Sequence, residues 1–142
     1  MRKIKTILPL LLLASLLAGC QMAGFNQQPT GAQSAKAPVS KYYDFDDVQV
    51  PSGMNMIQDR SMIFRVGDFK AGVLTFQDRV DSVSLINFYM SAMARDNWVL
   101  KGSFKSTTSA LFFAKKGKTC VVQITEGSLD TTLEIWVAPT MQ

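Results

Sequence analysis

The feature that most narrows the possible folds is an alternation of apolar and polar side chains. It begins at Ser61 and resumes four times after residue 97. A period of two belongs to strands, whose successive side chains point to opposite faces. Met62, Phe64 and Val66 alternate with Ser61, Ile63 and Arg65, and Gly67-Asp68 follows as a two-residue hairpin signal. Residues 69–77 read as the return strand, with Leu74 and Phe76 on one face. The later strand patterns cover 98–105, 109–115, 119–125 and 131–137. They are joined by Ser106-Thr107-Thr108, Lys116-Gly117 and Gly127-Ser128-Leu129-Asp130. Connections of hairpin length imply antiparallel neighbours.

One stretch carries the helical period instead. Val83, Ile86, Met90 and Met93 fall at 3-4-3 spacing, with Tyr89 beside them, and predict one apolar stripe facing the core. Asp81 or Ser82 can accept from the free N–H groups of the first turn. Arg95 stands in the last turn, where a cation suits the helix dipole. Asn97 tolerates the left-handed backbone that ends many helices. The expected class is α+β: one helix packed on a mostly antiparallel sheet of about six strands, in the order β-β-α-β-β-β-β.

Parity assigns the faces. Leu100, Phe104, Leu111, Phe113, Cys120, Val122, Ile124, Leu133, Ile135 and Val137 share the parity expected to face the helix. The opposite set holds Ile63, Val99, Phe112, Val121 and Trp136. That set is too apolar for a face left to water, since open antiparallel sheets present polar outer faces. Either residues 42–50 fold back over it or a partner does. Paired in chain order, the last four strands place Val99, Phe112, Val121 and Trp136 in a row. These five residues are the candidate interface.

The first 41 residues have another logic. Arg2, Lys3 and Lys5 precede an apolar run over 7–17, broken by Pro9 and Ser15, and small residues lead to Cys20. A basic start, an apolar core and small residues at the cut describe a secretory signal. The run is too short for a membrane span of about 20 residues. Leu17-Ala18-Gly19-Cys20 resembles the lipobox of bacterial lipoproteins. The resemblance implies a lipid on the Cys20 thiol and cleavage before it, so residues 1–19 leave. Residues 20–41 then form a lipidated tether, too poor in apolar side chains to order itself. Residues 42–142 form a single domain. Gln21 is not aspartate, which in a two-membrane cell resembles an outer-membrane address. Anchoring by several acyl chains is durable where one alone is marginal.

Maturation changes the charge. Fifteen basic and eleven acidic residues give the chain +4, and removal of Arg2, Lys3 and Lys5 leaves +1. A nucleic-acid partner loses its electrostatic support. Of two cysteines, Cys20 is taken by the lipid, and Cys120 falls on the core parity as a small hydrophobe.

A second resemblance joins the helix to the sheet. Phe88-Tyr89, Met93 and Asn97-Trp98 resemble the "FY…M…GW" segment of small uncharacterised bacterial lipoproteins, over roughly 50–139. It implies a hairpin before the helix and a meander after it, with Tyr89 and Trp98 as anchors, and no activity.

The chemistry on offer is narrow. No histidine is present, which removes Ser-His and Cys-His pairs and the usual general base. There is no glycine-rich phosphate loop. Asp44, Asp46 and Asp47 invite a calcium reading, but Gln49 and Asn55 stand where an EF-type loop needs glycine and glutamate. Residues 42–47 read instead as a solvated lead-in. No catalytic, metal or cofactor site is expected. The expected role is non-enzymatic: a membrane-anchored accessory module that docks onto an envelope protein. The alternatives are a small carrier of lipid or another hydrophobic ligand, or a binder of anionic envelope polymers through Lys115, Lys116 and Lys118.

Overall fold

A computed structural model describes residues 39–140. Cys20, the segment before it and residues 20–38 of the expected tether lie outside the described residues.

The first long hairpin is set by two glycines. Strands β4 (Met62–Val66) and β5 (Phe69–Asp78) pair antiparallel from Met62↔Val73 to Val66↔Phe69. Gly67 turns the chain at φ +61°, a region costly for residues with a Cβ. Gly72 is demanded by crowding as well as by its φ of +146°. A Cβ there would lie 2.0 Å from the Met62 carbonyl oxygen, so glycine lets the two strands approach.

The helix follows where its cap allows. The Asp81 carboxylate accepts from the Ser84 N–H at 2.7 Å and starts α1 (Ser82–Arg95). At the other end Asn97 adopts φ +63°. The Trp98 N–H then reaches the Met93 carbonyl at 2.9 Å and the Asn97 N–H the Ala94 carbonyl at 3.2 Å, the paired bonds of a Schellman stop. The buried stripe is Ser82, Leu85, Tyr89, Ala92 and Met93. That corrects the expected stripe: Val83 and Met90 are exposed and Ile86 is half-buried. Apolar residues occur almost all round this helix, so their spacing allows two stripes. Tyr89, which buries completely, decides between them.

After α1 come β6 (Val99–Phe104), β7 (Thr108–Lys115), β8 (Lys118–Glu126) and β9 (Thr131–Pro139). The helix carries the chain from β5 to the far edge strand β6. The meander then returns until β9 pairs with β5. A short β3 (Asn55–Met56) shares the outer edge of β5 with β4. The main sheet thus has seven antiparallel strands, and β1 (Ser40–Tyr42) pairs with β2 (Gln49–Pro51) in a separate two-stranded sheet. The architecture is α+β, with seven strands plus two where about six were expected. The extra strands are only two or three residues long, below what alternation can register. β1 takes in Ser40 and Lys41, residues assigned to the tether on sequence.

The core lies between α1 and one sheet face. Phe76, Leu85, Tyr89, Met93, Ile124, Leu133 and Ile135 are among its fully buried side chains. Each of the purely apolar ones contributes about 1.5–3 kcal/mol of transfer free energy. The lead-in closes the core from the N-terminal side. Asp44 and Asp46 are exposed as expected, but Phe45, Val48 and Val50 are buried in the main cluster. The solvated reading is therefore corrected to a strap. Its acidic residues punctuate an apolar set that packs near the Trp98 end of the helix.

Candidate functional site: the open sheet face

The face turned away from α1 is built by register. Phe112 pairs with Val121, Val121 with Trp136 and Trp136 with Val73, and Val73 pairs with Met62. One row therefore crosses β7, β8, β9, β5 and β4. Its large members are open to solvent, from Phe112 at 40% exposure to Met62 at 62%. Phe64, two residues along β4, is exposed beside them. Met62, Phe64, Val73, Trp136 and Ala138 line an apolar depression of about 240 Å³.

Phe112, Val121 and Trp136 stand in a row as expected. Val99 does not join them. It pairs with Ala114, one step along the same face, and beyond it the β6–β7 register slips between Leu100 and Gly102. The extra residue, Lys101, also reverses the parity beyond it. Phe104, expected in the core, turns outward at 52% exposure, and its ring stands 6.1 Å from that of Phe112. A mid-strand glycine marks bulges, so Gly102 is the signal in the sequence for this slip.

Ile63 is the second correction. It packs against the core cluster while Met62 and Phe64 face out. Alternation within β4 cannot orient it, because the strand is apolar on both parities. The pairing of Ile63 with Gly72 orients it, on the parity of buried Leu74. Sequence reasoning thus missed Met62, Phe64 and Phe104 as surface residues.

A polar row borders the apolar one. The Glu134 carboxylate accepts from Arg60 at 2.8 Å through one oxygen and from Gln123 at 3.1 Å through the other. Thr75, buried in the same row, donates to the Arg60 carbonyl at 2.8 Å. The strap lies with the helix-side cluster, so residues 42–50 do not cover the open face.

The lysine-rich hairpin tip is not a free cationic spot. Lys115 and Lys118 both reach Asp47 Oδ2, at 3.1 Å and 2.5 Å, and stand 5.7 Å and 5.5 Å from the Trp98 ring centre. Lys115 also donates to the Asp96 carbonyl at 2.8 Å, and the Trp98 indole N–H donates to the Asp47 carbonyl at 2.8 Å. These groups clasp the strap to the helix end, and Lys116 alone of the three is exposed. Beneath them Cys120 is 1% exposed, and burial pushes its thiol far above the ordinary range. Burial likewise raises the Tyr89 phenol, whose oxygen has no hydrogen-bond partner among the described residues.

Two further clefts are polar. One, of about 340 Å³, includes Asn55, Gln77, Asp78, Arg79 and Asp130 in its lining. The other, of about 210 Å³ beside the strap, mixes Asp44, Asp46 and Asp68 with Lys70 and Lys118. Among the described residues no group of three or more His, Cys, Asp or Glu is placed to hold a metal ion. No family model, curated protein or solved structure matches this chain. The open face is the site that its own geometry offers.

Proposed function

We propose that this chain is a lipid-anchored, non-enzymatic docking module of the bacterial envelope. Cys20 carries the lipid and the open sheet face carries the contact. The observation behind the reading is the solvated row of Met62, Trp136 and Phe112, with Phe64 and Phe104 beside it. Aromatic and methionine side chains are the types enriched in the cores of protein interfaces. The lipobox supplies the reason such a face would sit at a membrane, and Gln21 favours the outer one. Partner and anchor are separate parts of the reading: the face acts on proteins, and the lipid holds it where they are.

Two features favour docking over the alternatives. The space between helix and sheet is filled by Tyr89, Phe76, Leu85 and Met93, which supports a packed core over a lipid cavity. Lys115 and Lys118 are engaged by Asp47, which weakens the hairpin as a grip for anionic polymers.

The test is the double substitution Trp136→Ala with Phe112→Ala, read by co-purification from envelope extracts and by melting. Docking predicts loss of the co-purified protein. Measured where the face is unoccupied, stability should fall by only about 0.2–1 kcal/mol per site, the worth of a cross-strand pair. Binding unchanged with a large drop in stability would place the contact elsewhere.

A further inference from the structure

The open face has two unlike ends. At the β6–β7 end the Phe104 and Phe112 rings are exposed, with their centres 6.1 Å apart. At the β4–β5–β9 end lies the 240 Å³ depression. Val121, on β8, sits between them, paired on one side with Phe112 and on the other with Trp136. Exposed apolar side chains on one side of a central strand and a hollow on the other let a surface face its own copy. In a twofold contact each copy gives the same patch, and residue i meets j while j meets i. A twofold axis running between two facing sheets, over Val121, lays β7 of one copy on β9 of the other. With the axis parallel to β8, Phe112 then meets Trp136 twice. Val99 of each copy, in the row of Ala138, approaches the hollow of the other, while Phe104 comes over the row of Glu134 and Thr75.

Charge and area agree with that occupant. The row through Met62, Trp136, Val121 and Phe112 carries no charged side chain, and the nearest pair, Arg60 with Glu134, neutralises itself at 2.8 Å. Like therefore meets like without repulsion. Strands about 4.8 Å apart and eight residues long give the face on the order of 600 Å² in projection. That reaches the lower end, about 600 Å² per partner, of the range for stable interfaces. Two sheets facing each other at about 10 Å make a sandwich, a common way to close an open face.

We propose that the occupant of the open face is a second copy of this chain, packed sheet on sheet about a twofold axis over Val121. This rests on the docking reading above. The full chain, expressed in two differently tagged forms in its own membrane, tests it. A benzophenone amino acid is placed at position 112 and, in a second variant, at position 62. Illumination is expected to give a product of twice the chain mass bearing both tags, from either position. The same group at Val83, exposed on the helix, should give none. Adding Trp136→Glu to both copies should abolish the product. Slow maleimide labelling of Cys120 verifies that this variant is folded. A product joining position 112 to a different protein overturns the second copy and leaves docking intact. No product from either position overturns both.

Discussion

At the scale of single residues the two cysteines divide the molecule's chemistry. Cys20→Ser should block lipid attachment, leaving precursor or a released form. Incorporation of labelled fatty acid checks it, and label on the variant would contradict the lipobox reading. Cys120 should react slowly with maleimide until denaturant is added, because it is buried and held as a thiol. Burial also gives it a signature in pH. The Cys120 thiol and Tyr89 phenol are raised above their ordinary values of 9.0 and 10.0. Above pH 9 the unfolded chain therefore releases protons that the folded chain keeps. Stability is unaffected by these groups below that point and falls as pH rises beyond it. The slope is about 1.4 kcal/mol per pH unit for each group. Melting followed from pH 8 to 11 should bend downward near 9. Cys120→Ala should remove the first part of the fall and leave the part that starts near 10.

At the scale of elements the helix stop offers the sharpest test. Asn97 holds φ +63° and sets up the two bonds that close the helix. Asn97→Gly should keep or raise stability, and Asn97→Val should cost about 1–2 kcal/mol, the penalty for a left-handed residue with a full side chain. Urea midpoints decide, and equal midpoints would mean the turn is not limiting. This stop was legible, as were the hairpins, because each rests on one or two residues with a narrow backbone preference. The long strands were legible from their period-two alternation, with ends within a few residues of those expected. Facing was legible only where one parity is polar. β8 alternates cleanly, and Cys120, Val122 and Ile124 are all buried. β4 is apolar on both parities, so Ile63 was misplaced until pairing with Gly72 oriented it. In β6 a single unpaired residue, Lys101, reversed the face of Phe104. In the strap the acidic residues hid Phe45, Val48 and Val50, whose burial depends on contacts far along the chain. The candidate face was thus half visible: its central row could be read from alternation, its two ends could not.

At the scale of the whole molecule the described residues have a helix on one side of the sheet and water on the other. Half of a sandwich is an unfinished thermodynamic object. Whatever covers the open face binds the folded chain and not the unfolded one, so coverage and folding draw on the same free energy. An occupant at a hundred times its dissociation constant adds about 2.7 kcal/mol of apparent stability. When the occupant is another copy, the melting temperature should climb with protein concentration, while Trp136→Glu should melt at one temperature across the same dilution series. If the proposed lipid anchors the chain, crowding on the membrane surface sets that concentration. The abundance of the protein would then tune its own resistance to unfolding and proteolysis, with sparse chains short-lived and dense ones durable.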